Sequence, residues 1–201
     1  MGLAEMVLAA RKSARAWPVG PGAITGWQTP YGHDDSIFSP EEYGDALATS
    51  NDVYTVVSKR ARLLSSLDLR FYDGRRNDKN EITDHPAVDL FWRVNPFWSA
   101  ERLARMDEMC MGVWGETFWA LEPGRRGEPG NIWWCKPSQM HPVVDAHKYL
   151  LGFAYQPTTG GPPTTFTPDE VIWFRYPNPV DEFSALPPLN VCSPQRPVSP
   201  E

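Results

Sequence analysis

Residues 95–121 read NPFWSAERLARMDEMCMGVWGETFWAL, and inside this stretch one secondary-structure period hands over to the other. Ser99 can cap the first free amides of a helix. Leu103, Met106, Cys110, Val113 and Trp114 follow at spacings of three, four and seven and so share a face. Glu101, Arg102, Arg105 and Glu108 fall opposite, with Glu101 and Arg105 in the favoured acid-before-base order. Gly112 and Gly115 are read as stopping points. After Gly115 the run Thr117, Phe118, Trp119, Ala120, Leu121 is too short and too β-prone for a second helix, which predicts a buried strand. An amphipathic helix feeding an aromatic strand through glycine is a unit that builds a core.

Working outward, Ser50 and Asn51 precede Val53, Tyr54, Val56, Val57, Ala61, Leu64 and Leu67, with Lys59, Arg60 and Arg62 on the other side. This predicts a helix over about 51–65 whose basic side is a solvated face. Leu67, Leu69 and Phe71 then alternate with polar residues up to the turn signal Asp73-Gly74, so a strand ends there and its return is expected near Ile82. His85-Pro86 opens a short helix through Trp92, which Asn95-Pro96 breaks. Glu122 to Gly130 is a turn leading to a strand over 131–136. Val143-Val144 and Leu150 to Tyr155 are two more strands. Residues 158–165 form a Gly/Pro/Thr tongue without core residues, and Thr167 to Glu170 is one helical turn before a strand from Val171.

Toward the amino end, residues 2–16 carry a short helical pattern, with Leu3, Met6, Val7 and Ala10 on one side and Arg11, Lys12 and Arg15 near its end. Residues 17–40 are rich in Gly, Pro, Thr and Asp without a period, and Glu41 to Gly44 is at most a single helical turn. Proline dominates the stretch from Pro187 to Glu201, which forbids helix or sheet interior there. The fold class is therefore α+β, short helices packed on antiparallel strands and hairpins. Its expected parts are a flexible arm over 1–49, the α+β domain over 50–186 and a disordered Pro-rich tail over 187–201.

The net charge is −6, which argues against a general nucleic-acid binder. Cys110, Cys135 and Cys192 are too few and scattered for a disulfide framework, and no CxxC pair points to zinc. No run approaches the length of a membrane span. His33, His85, His141 and His147 show no HxH or HExxH spacing, and His85 and His141, each before proline, read as turn residues. A metal site from Cys135, His141 and His147 has only nearness in sequence behind it. There is no GxSxG, Walker or dinucleotide loop. Tryptophans beside acids (Trp114, Glu116, Trp119, Glu122) raise the alternative of a carbohydrate-binding or glycoside-hydrolysing domain. Glu116 and Glu122 lie six residues apart on one strand, roughly 20 Å by strand rise and too far for a catalytic pair. We therefore expect no catalytic residue, cofactor or metal.

In order, the segments SNDVYTVVSKRARLLSSLDLRFYD (50–73), HPAVDLFWRVNPFWS (85–99), GETFWAL (115–121), PSQMHPVVD (137–145) and FTPDEVIWFRYPNP (166–179) resemble the N-terminal part of tailed-bacteriophage portal proteins. The similarity covers about residues 50–189. It implies a head–tail connector without bond-breaking chemistry: a ring, usually of about twelve copies, at one capsid vertex, through which DNA is packaged and ejected. The matching residues resemble the outer, wing-like α+β region, so the implied partners are other portal subunits and the capsid or scaffold protein, with terminase, tail adaptor and passing DNA as partners of the whole ring. No residue is assigned a DNA contact. The implied location is the virion portal vertex, with assembly in the host cytoplasm and no membrane. Where the family continues into channel helices, this sequence gives FSALPPL (183–189) and the proline-rich stretch. Set beside the family, that departure implies a truncated or frameshifted gene, a prophage remnant or a fragment.

Overall fold

The computed structural model describes residues 40–74, 80–124, 128–145, 149–157 and 162–189. The expectations for 2–16, for 17–39, for the proline-rich stretch beyond Leu189 and for the turn at 125–127 lie outside those residues.

The chain enters on α1 (Pro40–Thr49), a ten-residue helix where the sequence promised one turn. Packing explains the extra length: Tyr43 is buried and Leu47 packs against the same cluster, contacts that stabilise a helix too short to persist alone. α2 (Asn51–Ser65) follows, its N-terminus capped by Ser50, whose hydroxyl accepts from the Val53 amide at 3.4 Å. The strand expected over 67–72 shrinks to β1 (Tyr72–Asp73), paired with β2 (Asn80–Glu81). Leu67 and Leu69 face solvent instead of a sheet, so alternation there found no partner strand. α3 (Pro86–Trp92) begins with proline, and His85 accepts from the Ala87 amide at 3.1 Å through Nδ1, which makes it a helix cap.

The Asn95 break is a clamp. Its Nδ2 donates to the Ile132 carbonyl at 2.7 Å, and its Oδ1 accepts from the Phe97 and Trp98 amides at 2.9 and 3.0 Å. The Ile132 amide in turn donates to the Val94 carbonyl at 2.7 Å. Replacing Asn95 with Ala removes three bonds at a half-buried corner. We expect a loss of about 2–3 kcal/mol in denaturant unfolding; a loss below about 0.5 kcal/mol would show that the corner holds without its amide.

α4 (Ala100–Val113) is the organising helix, with Ser99 accepting from the Arg102 amide at 3.3 Å as its cap. Leu103, Cys110 and Val113 are buried as their spacing requires. Gly112, expected as a stop, lies within the helix, where an added Cβ would sit 3.3 Å from the Val57 side chain. It is the point of close approach between α2 and α4. The stop is Gly115 alone, at φ +74, where a side chain would meet the Leu186 carbonyl at 2.8 Å.

The strands are β3 (Glu116–Pro123), β4 (Pro129–Cys135), β5 (Met140–Asp145), β6 (Tyr149–Tyr155), β7 (Thr164–Phe166) and β8 (Val171–Arg175), with 3-10 turns at Pro137–Gln139 and Pro168–Glu170. They form two antiparallel three-stranded sheets, ordered β4-β3-β8 and β5-β6-β7. His141 pairs with Ala154 inside β5, so it is a strand residue and not a turn residue. Thr164, expected in a tongue without core residues, is buried in β7. That short strand forms because β6 offers it a free edge. Residues 158–161 of the tongue lie outside the described part.

Alternation along β3 divides the core. Phe118 and Ala120 face the second sheet together with Trp133, Cys135, Met140, Phe153, Tyr155 and Val171. Trp119 and Leu121 face the helices with Ile132, Leu103 and Val94. Helices, first sheet and second sheet thus form three layers. A further cluster of Tyr43, Val57 and Val113 binds α1, α2 and α4 together, and Trp114, half-buried, packs against it.

Candidate functional site

The tryptophan and carboxylate neighbours noted in the sequence turn out to be polar pins. The Trp119 indole N–H donates to Asp107 Oδ2 at 2.8 Å, and the Thr117 hydroxyl donates to Oδ1 of the same carboxylate at 2.8 Å. Trp173 donates to Glu116 Oε2 at 2.9 Å, and Trp133 donates to Glu122 Oε2 at 2.9 Å, with Asn131 donating to the same oxygen at 2.8 Å. A buried indole N–H usually finds an acceptor, and each of these acids supplies one, whereas the buried Trp134 Nε1 has no hydrogen-bond partner. Glu116 and Glu122 lie on the same face of β3, yet each is held by a different tryptophan from a different neighbouring strand. Trp133 is 9% exposed and so presents no open face as a sugar platform, while Trp119 and Trp134 are half-buried. Trp134 stacks on Trp98 at 5.8 Å between centroids, and Arg102 lies 4.5 Å over the Trp98 ring.

Burial shifts the two acids that face apolar surroundings. Asp107 is pushed up to about 6 by loss of solvent, with the hydrogen bonds from Trp119 and Thr117 pulling the other way. Glu116 is pushed up to about 7 by the same cause, opposed by the Trp173 bond and the Arg175 charge. The thiols of Cys110 and Cys135 are buried and driven upward, the latter to about 12, which leaves them unreactive. Cys135 points into the core between the sheets and His141 belongs to β5, while His33, His147 and Cys192 lie outside the described residues. Among the described residues no group of three or more His, Cys, Asp or Glu side chains is placed to hold a metal ion, and no helix is long and apolar enough to cross a membrane.

What sequence reasoning missed is a groove. A cavity of about 340 Å³ opens between the end of α2, α3, α4 and the helix-facing side of β3 and β8. Leu64, Leu67, Phe91, Trp92, Trp119 and Phe174 line it, as does Asp107. Leu67 is 63% and Trp92 48% exposed. Arg60, on the basic side of α2, makes an ion pair with Glu108 of α4 and donates to the Tyr176 hydroxyl at 3.2 Å, tying the two helices to the segment after β8. That side of the helix is therefore more than a solvated face. The only sequence signal for the groove was the excess of apolar residues on α2, more than one helix face can bury.

A three-layer α+β block pinned by tryptophan–carboxylate bonds, with an apolar groove on its helical side, defines a structural module. Residues 51–195 match the family model described as phage portal protein, and the chain belongs to that family. Its fold is similar to a chain in the neck of the empty GTA particle computed with C6 symmetry, at 17% identity and TM-score 0.65 over 83% of this chain and 43% of that one. It is also similar to a chain of the virion of the native gene transfer agent particle, at 17% identity and TM-score 0.63, covering 83% and 42%. A third similarity is to the neck of the native GTA particle computed with C12 symmetry, at 18% identity and TM-score 0.59, covering 77% and 41%. The chain thus spans less than half the length of these solved chains. No curated protein matches it.

Proposed function

We propose that the chain serves as a structural part of a portal ring, the head–tail connector through which DNA is packaged and ejected. Its described region acts as the outer, wing-like block, which packs against neighbouring subunits and contacts the shell or scaffold. The observation that carries this reading is the family match over 51–195, together with a fold shared with chains of particle necks. Physically, the layered core supplies rigidity, and its buried acids serve as acceptors for indole N–H groups. Terminase, tail adaptor and DNA are then partners of the assembled ring, and the work belongs to the host cytoplasm during assembly and to one vertex of the finished particle. The test is to tag the chain in cells that make the particle, purify particles and locate the tag by cryo-electron microscopy. Density at a single vertex with the neck's rotational symmetry is expected; purified particles that carry capsid protein but no tagged chain would refute the proposal.

A further inference from the structure

After β8 the chain makes a loop whose two ends meet at one glycine. The Tyr176 amide donates to the Gly115 carbonyl at 2.8 Å, and an added Cβ at Gly115 would stand 2.8 Å from the Leu186 carbonyl oxygen. Residues 177–185 between those ends are bound to one another. Asn178 Nδ2 donates to the Ser184 hydroxyl at 3.0 Å, Asn178 Oδ1 accepts from the Val180 amide at 3.0 Å, and Asp181 Oδ1 accepts from the Phe183 amide at 2.9 Å. Close ends and internal bonds make an Ω-loop, a compact body in its own right. None of its residues is buried, and Val180 is 71% exposed. A loop that adds so little to the core opens at less cost than the sheets do.

The tip of this loop is held from outside. Arg175 of β8 donates to the Glu182 carbonyl. Tyr149, at the start of β6, donates its hydroxyl to Glu182 Oε2 at 3.0 Å and packs its ring on Phe183 at 4.8 Å between centroids. Among the described non-glycine residues only Tyr149 has a positive φ, at +64. That region strains a residue with a side chain and suits glycine, so the hairpin by itself would favour glycine there. What the tyrosine adds is its hold on Glu182 and Phe183. We propose that residues 177–185 form a flap that opens from the folded block as one unit, hinged at its two ends beside Gly115, with Tyr149 as its latch. Opening frees the Arg175 guanidinium and the Tyr149 ring while β8 stays paired with β3. The inference is independent of the portal reading, since it concerns how one segment moves against the block that carries it.

The test is amide hydrogen exchange on the full chain, read residue by residue by NMR. In the parent, the bonded amides of Val180 and Phe183 should exchange more slowly than in a free peptide of the same sequence, yet roughly tenfold or more faster than Phe118 and Ala120 in β3. Exchange at the free-peptide rate would show that the flap is not closed, and exchange in step with β3 would show that it opens only when the whole block unfolds. Either result overturns the proposal. Tyr149→Gly removes the latch and the backbone strain together, so it should speed the two flap amides several-fold, leave β3 unchanged and not speed Phe153 and Ala154 in β6. Phe183→Ala changes the flap's side of the contact and touches no strand, and it should speed the same two amides. Flap amides that keep the parent rates in either variant, or that speed up only together with β3, would exclude Tyr149 as the latch and overturn the proposal.

Discussion

Phe118→Ala should lower the stability of this protein by about 3–5 kcal/mol, the range for removing a large aromatic from a closed core. Phe118 is 0% exposed at the centre of β3, between the two sheets. Its ring stacks on Trp173 at 5.7 Å between centroids and meets Phe153 edge-on at 5.9 Å, while Phe153 meets Trp173 edge-on at 5.6 Å. Removing one ring of this triad empties a space that the two rings left, fixed on two different strands, cannot close. A drop of roughly 10 °C in thermal unfolding is expected for a domain of this size. Ile172→Ala, on the opposite face of β8 and partly exposed, serves as the control and should cost far less. If the two variants melt together, the assignment of faces along β3 and β8 is wrong.

The second large effect is on pH. Asp107 and Glu116 bind a proton more readily in the folded chain than in the unfolded one, because ionising them there means burying a charge in apolar surroundings. Their ordinary values are 3.8 and 4.5, and burial moves them to about 6 and about 7. The stability they contribute is complete below the ordinary values and is lost as pH rises through the shifted ones. From pH 4 to pH 8 the two acids should therefore remove stability, Glu116 on the order of 3 kcal/mol and Asp107 somewhat less. Urea unfolding across that range should show the decline, and the double variant Asp107→Asn with Glu116→Gln should flatten it. Both amides keep an oxygen to accept from Trp119 and Trp173. A double variant that declines as steeply as the parent would exclude these carboxyls as the cause.

Local signals decided much of the fold. The helices at 51–65 and 100–113 begin at Ser50 and Ser99, where the capping hydroxyls are found, and the strand after Gly115 starts within a residue of its expected place. The strand expected at 67–71 failed because alternation only offers an edge, and no strand arrived to pair with it. The ten-residue α1 and the strand β7 were missed for the converse reason, since each is held by neighbours more than by its own residues. The groove was illegible because the excess apolar residues of α2 acquire meaning only once α3, α4 and β8 are set around them.

By itself the sequence determined the periods, the caps, the break at Asn95 and the α+β class, because each depends on residues within a turn or two of one another. Only the tertiary structure decided that Gly112 is a helix contact, and which acid Trp119, Trp133 and Trp173 would each hold. Trp119 reaches Asp107 across 12 residues and Trp173 reaches Glu116 across 57. The reason is that an indole N–H leaving water needs an acceptor, and strand register and helix packing, which no local pattern encodes, decide which carboxylate lies within reach.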